Sequence, residues 1–284
     1  MAQSAPQEIP VLPPSNIITL LTDFGNADGY VAAMKGVILS INPAAQPVDL
    51  SHEIEAQNIT AAELLWSTHF KYFPRGTVHV AIVDPGVGTA RSALACAFGG
   101  HYFVAPDNGL LDFCSRGNNA AVTINRPKYW RPEVSSTFHG RDIFAPVAAH
   151  LTLGVPLSSL GDPVVLVARA PQGTCRIEND KLIGEIIHID RFGNLISNIS
   201  YEEFWKFCDR RAFRVQVAQL TFSQLLPSYG YVAAGAPVAL FNSFERLEIG
   251  INQGRAAAQL NLYTGTAVIV ERGDAVLHHA KSRK

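Results

Sequence analysis

Two apolar periods divide the chain. Up to about residue 153, short runs of β-branched residues and leucine alternate with stretches whose apolar positions recur every three or four residues. The first pattern marks strands and the second amphipathic helices. Residues 17–21 predict a buried strand running into Thr22-Asp23-Phe24-Gly25. Val31, Met34, Val37, Ile38 and Ile41 then share one helix face. Residues 47–52 predict a short strand ending in polar groups. Thr60 and Glu63, at capping-box spacing, predict a helix with Ala62, Leu65, Trp66, His69, Phe70 and Phe73 on a face. Residues 78–83 predict a strand that ends at Asp84, where Pro85, Gly86 and Gly88 force a turn. Residues 94–98 and 102–104 predict a hairpin leading into the turn residues Ala105-Pro106-Asp107-Asn108-Gly109. Thr137-Phe138-His139-Gly140-Arg141-Asp142 precedes a helix with Phe144, Val147, Ala148 and Leu151 on one face, and Asp142 is its natural N-cap. This alternation predicts a mostly parallel sheet covered on both faces, an α/β/α sandwich.

The second half reads differently. After Arg169-Ala170-Pro171-Gln172-Gly173, a linker by composition, strand signals dominate: 181–189, 195–199, 213–220, 238–241, 247–251 and 267–271. Phe213, Val215 and Val217 alternate with Arg214, Gln216 and Ala218, the period of a half-buried strand. A smaller antiparallel β-barrel-like domain is predicted, interrupted by one short helix over 201–208. The expected organisation is a flexible leader over 1–16, an α/β domain over 17–170 and a β domain over 175–284.

Composition narrows the partners. With 284 residues, 48% hydrophobic, the chain is long enough for two unequal globular domains. A formal net charge of −1 without a Lys/Arg block argues against nucleic acid or an anionic membrane surface as the main partner. Cys96, Cys114, Cys175 and Cys208 are scattered with no CxxC pair, which predicts reduced structural cysteines in a cytoplasmic protein. No apolar run reaches the ~20 residues of a membrane span. The proline-rich N-terminus has neither the basic nor the apolar region of a signal peptide.

Carboxylates follow predicted strands at Asp23, Asp49 and Asp84, and Asp190 precedes Phe192-Gly193-Asn194. Each alone is an ordinary cap or turn residue. Gathered at one sheet edge, they would suit a cation, a metal or ribose hydroxyls. His139 reads equally as base, ligand or core histidine. No HExxH, Walker loop or Gly-x-Ser-x-Gly elbow is present, and the kinase companions of Asp23-Phe24-Gly25 are missing.

As a set, the motifs resemble the S-adenosyl-L-methionine (SAM) hydroxide adenosyltransferase family, relatives of the fluorinases and chlorinases. The matching stretches are TDFG at 22–25, DLSHEI at 49–54, VDPGVGTAR at 83–91, APDNGLL at 105–111, TFHGRDIFAPVAAHL at 137–151, IDRFGNLISNI at 189–199 and NSFERLEIGI at 242–251. The resemblance implies hydrolysis of SAM to adenosine and L-methionine without metal or cofactor. It further implies a homotrimer holding its ligand between one subunit's N-terminal domain and a neighbour's C-terminal domain. By motif position, Asp84, Arg91 and His139 would orient the attacking water, and Asp23 would bind the ribose hydroxyls. Asp190 and Asn194 would contact the nucleoside or methionine part, while Ser243, Phe244, Glu248 and the backbone at Ile251 would line the adenosine end. Asp84 stands where the halogenating relatives carry Tyr, and His139 where fluorinase has Tyr. Gln57 replaces their ribose-wall Trp. The alternatives are a halide-using 5′-halo-5′-deoxyadenosine synthase, a non-catalytic adenosine-binding trimer, and a metal-dependent hydrolase built on His52 and His139.

The chemistry agrees with these residues. Attack at C5′ of a sulfonium expels a neutral thioether, so the leaving group needs no general acid. The site must orient a water and receive its proton. A guanidinium beside Asp84 would favour the charged carboxylate.

Overall fold

A computed structural model describes residues 13–169 and 174–276; most of the predicted leader and all but the first residue of the predicted linker lie outside them. The chain divides into two compact units, Met1–Ala170 and Pro171–Lys284.

The first unit holds β1 (Ile17–Thr22), α1 (Tyr30–Ile41), β2 (Gln46–Ser51), α2 (Ile59–His69), β3 (Val78–Ile82), β4 (Ala93–Phe98), β5 (His101–Pro106), β6 (Asn119–Thr123), α3 (Ala145–Thr152) and β7 (Pro163–Val164). The sheet order is β2-β1-β3-β5-β4-β6-β7. The β2-β1, β1-β3 and β3-β5 pairs are parallel, and the remaining three are antiparallel. Only β4 and β7 therefore run against the other strands, and the expected mostly parallel α/β class is what forms. Period-two alternation sorts β1 between the faces. Ile18 and Leu20 enter a core with Met34 and Ile38 of α1 and Val147 and Leu151 of α3, while Leu21 packs with Ala62 and Trp66 of α2. Each such fully buried aliphatic side chain contributes roughly 1.5–3 kcal/mol.

Two caps differ from expectation. Helix α2 starts at Ile59, before Thr60, and its N-cap is Asn58, whose side chain accepts from Ala61 N. Asp142 caps nothing: the chain enters α3 through a π-turn over Gly140–Phe144, and α3 has no side-chain cap. The carboxylate is buried among arginines instead, as described below.

Towards the amino ends of the strands lies a buried polar row. Thr19 Oγ1 is 2.7 Å from His79 Nδ1, and His79 Nε2 is 3.2 Å from His101 Nδ1. Phe70, Phe73 and Phe103 pack around it. Burial, reinforced by His101, holds the His79 pKa down at about 3; burial and Arg75 lower that of His101.

The second unit contains β8 (Arg176–Glu178), β9 (Lys181–Ile189), β10 (Leu195–Ser200), α4 (Tyr201–Cys208), β11 (Arg211–Val217), β12 (Leu220–Phe222), β13 (Pro237–Phe241), β14 (Arg246–Ile251), α5 (Ala256–Leu260) and β15 (Ala267–Val276). Its strands pair antiparallel in the order β12-β11-β15-β9-β10-β14-β13, with β8 also on β9. Strand β9 bends the sheet into a nearly closed barrel by pairing with β15 through residues 181–185 and with β10 through its last residues. The predicted strand over 213–220 is two strands, because Ala218 turns the chain at φ 51°. A second helix, α5, was not legible in the apolar pattern. Helix α4 starts on a full capping box, Ser200 and Glu203.

Candidate active site

Strand register brings four segments to one edge of the first unit. Thr22 pairs with Ile82, Leu21 with Ser51 and Val80 with Val104. Just beyond that carboxyl edge stand Asp23, His52, Asp84 and Asn108, where open α/β sheets bind ligands.

Asp84 and Arg91 form a buried ion pair. Arg91 Nη2 donates to Asp84 Oδ2 at 2.6 Å, with only 4% of the Asp84 side chain and 9% of Arg91 exposed. The same Nη2 lies 3.3 Å from His139 Nδ1. A guanidinium only donates, so Nδ1 accepts and the ring proton resides on Nε2. Burial lowers the His139 pKa and Arg91 adds to that, against the opposing pull of Asp84 and Asp142. His139 is therefore neutral at pH 7, and its Nε2 is a hydrogen-bond donor rather than a base. Asp84 Oδ1 is buried with no hydrogen-bond partner, as is Arg91 Nε. Asn108 Nδ2 donates to Val83 O at 2.7 Å, tying down the residue before Asp84.

Two features hold these groups in place. Gly88 has φ +77°, and a Cβ there would stand 2.3 Å from Ser136 O, so the Asp84 loop packs directly on the segment that carries His139. Asp142, fully buried, accepts from Arg131 Nη1 (2.9 Å), Arg141 Nε and Nη2 (2.7 and 2.8 Å) and Ser135 N (2.9 Å). Burial opposes its ionisation, but these donors outweigh it and hold the pKa at about 2.

Asp23 is not part of this hydrogen-bonded group. Its Oδ2 accepts from Gln57 N at 2.9 Å, with Gln57 at φ 67°. Position 57 thus contributes its backbone amide to the carboxylate. Among the described residues, no group of three or more His, Cys, Asp or Glu side chains is placed to hold a metal ion.

In the second unit, Asp190, Asn194 and Glu248 meet in one network. Asp190 Oδ1 accepts from Phe192 N and Asn194 N, and its Oδ2 from Asn194 Nδ2. Asn194 Nδ2 also reaches Tyr229 Oη at 3.3 Å, and Tyr229 Oη donates to Glu248 Oε1 at 2.5 Å. Asn242 Nδ2 donates to Glu248 Oε2 at 2.9 Å. Burial raises the Glu248 pKa against these two donors. Ser243, exposed, and Phe244, half-buried, lie in the β13–β14 turn, where Phe244 N donates to Asn242 Oδ1. Ile251, at the far end of β14, is buried in the unit's core. Neither Tyr229 nor Asn242 was expected in the site: Tyr229 lies outside every stretch the sequence singles out, and Asn242, though it opens the 242–251 stretch, carries no apolar pattern.

Family models agree with this division. The description SAM hydroxide adenosyltransferase N-terminal domain fits residues 18–161, and the C-terminal domain of the same name fits residues 184–269. The chain belongs to that family. Among the family's members, (R)-S-adenosyl-L-methionine hydrolase of Salinispora tropica is 37% identical over 266 residues, covering 92% of this chain and 99% of its own. The hydrolase of that name from Thermus thermophilus is 38% identical, covering 88% and 98%. A fluorinase from Actinoplanes sp. is more distant at 28%, covering 90% and 97%. The crystal structure of an uncharacterised conserved protein from Thermotoga maritima superposes with a TM-score of 0.81 at 36% identity, covering 90% of this chain and all of that one.

Proposed function

We propose that this protein hydrolyses SAM to adenosine and L-methionine, with Asp84, Arg91 and His139 orienting the water. The observation that carries the reading is the buried, unpartnered Asp84 Oδ1 beside a neutral His139 on a shared guanidinium. A water between them donates to Asp84 Oδ1 and accepts from His139 Nε2–H. Its oxygen attacks C5′ as the C5′–S⁺ bond breaks, and both electrons of that bond stay on sulfur, giving neutral methionine. The water's proton passes to the Asp84 carboxylate and from there to solvent. Burial of the ion pair keeps the donors and acceptors pre-oriented, where electrostatic stabilisation is strongest.

In this reading Asp23 holds the ribose diol. Asp190 and Asn194 contact the nucleoside or methionine part, and Ser243, Phe244, Glu248 and the Ile251 backbone line the adenosine end. No metal or cofactor takes part, and the working form is a homotrimer in the cytoplasm. The relatives named as SAM hydrolases at 37–38% identity support the substrate.

The test is incubation with SAM in chelator-treated, ¹⁸O-labelled water containing chloride. Label in the 5′-hydroxyl of adenosine is expected. Unlabelled adenosine, no turnover, or chloride-dependent 5′-chloro-5′-deoxyadenosine would overturn the reading.

A further inference from the structure

Thr22, His52, Asp49 and Lys35 form a chain of contacts under the Asp23 loop that the reaction just described does not use. Thr22 Oγ1 lies 2.8 Å from His52 Nδ1, and both residues are buried. His52 Nε2 is 3.0 Å from Asp49 Oδ1, off-line for a full hydrogen bond, and Lys35 Nζ reaches Asp49 Oδ2 at 2.6 Å. Beside the carboxylate, Nε2 carries the ring proton, so Nδ1 accepts from the Thr22 hydroxyl. Thr22 Oγ1 in turn accepts from Phe24 N at 3.2 Å, and His52 O accepts from Gly25 N at 2.8 Å.

The order threonine, histidine, aspartate is that of a nucleophile, a base and an orienting acid. Thr22 is nevertheless fully buried and its oxygen is already engaged by Phe24 N, so no substrate carbon reaches it. What the chain does hold is Asp23. Thr22 precedes Asp23, Phe24 and Gly25 follow it, and His52 grips both sides, one through its ring and the other through its carbonyl. Gln57 N, five residues past His52, donates to the Asp23 carboxylate itself.

We propose that His52 is a positioning residue that, through Thr22, fixes the Asp23 carboxylate for two adjacent ribose hydroxyls, and so sets the preference for ribonucleosides over 2′-deoxyribonucleosides. The proposal rests on Asp23 being the diol-binding group. A positioned carboxylate accepts from both hydroxyls; one free to rotate gains little from the second, so the cost of losing 2′-OH shrinks.

The experiment is calorimetric titration of the full-length protein with adenosine and with 2′-deoxyadenosine, in wild type, Asp23→Ala, His52→Ala, His52→Asn and Thr22→Val. The wild type is expected to prefer adenosine by about tenfold or more, as for a hydrogen bond to a charged group. Asp23→Ala should abolish the preference. His52→Ala and Thr22→Val should reduce it at least threefold, and His52→Asn, whose amide oxygen can replace Nδ1, should retain most of it. A merely structural role would weaken both nucleosides alike and leave the ratio standing. An unchanged ratio in Thr22→Val and in folded His52→Ala overturns the proposal, and Thr22→Val alone decides if His52→Ala does not fold. An unchanged ratio in Asp23→Ala removes Asp23 as the diol group and the proposal with it, whatever the outcome of the labelled-water assay.

Discussion

In the proposed reaction Asp84 accepts and His139 donates, so their variants should behave differently. Asp84→Asn keeps the shape but loses the charge that receives a proton. Turnover should fall on the order of 10²–10⁴-fold with adenosine affinity largely kept, measured by product formation and by titration. His139 should impose an acid limb on kcat. Its pKa lies below the ordinary 6.5, so the ring stays neutral down to a lower pH than a free histidine and protonates beneath that. Protonated Nδ1 faces Arg91 donor to donor, and the contact breaks. The limb's midpoint should therefore fall below pH 6.5 and disappear from the pH profile of His139→Gln. Local pattern alone left Asp84 an ordinary cap or turn residue and His139 equally a base, a ligand or a core histidine; what singled them out was the resemblance of the 83–91 and 137–151 stretches to the family. Tyr229 and Asn242 were not singled out even so: they meet only when β14 folds back to place Glu248 against them.

At the level of elements, the π-turn before α3 and the Asp84 loop depend on Gly88 and Asp142, whose contacts are with neighbouring protein segments. Gly88→Ala forces a left-handed φ, at roughly 1–2 kcal/mol, and drives Cβ into Ser136 O. It should lower the melting temperature and abolish turnover. Gly86→Ala, whose Cβ would find only ordinary contacts at 3.5 Å and beyond, should fold normally. Asp142→Asn removes the charge that Arg131 and Arg141 share. With the folded pKa at about 2 against 3.8, the carboxylate stabilises the fold by on the order of 2 kcal/mol above pH 4. That contribution is lost as pH falls through 2. Denaturant midpoints at pH 7 should show the loss in the variant. The sequence suggested Asp142 as a cap because Asp before an apolar run usually is one. The two arginines that claim it, one of them eleven residues upstream, are a tertiary preference that local pattern does not carry. On α4 the capping box is a purely structural device: Ser200→Ala should cost about 1 kcal/mol and leave turnover unchanged.

Across the whole molecule, apolar period marked β1, β3, β9 and α4 but missed β6 and α5 and merged β11 with β12. Strand order did not follow. The β3-β5 pairing bypasses β4, and β9 serves two partners along its length. Both depend on contacts between distant residues. Separate cores fill the two units. If the homotrimer forms, light scattering should report the mass of three 30.8 kDa chains at micromolar concentration, and a single-chain mass would oppose it.

The His79–His101 row makes the first unit intolerant of protons. Burial keeps both rings from charging until well below their ordinary pH in the folded sheet, whereas both charge near pH 6.5 once the chain opens. Acid therefore drains stability as pH drops below 6.5, and His79 alone withdraws on the order of 4 kcal/mol by pH 3. Stopping the reaction with acid should thus loosen the fold as well, and activity should return after neutralisation only as fast as the sheet reassembles.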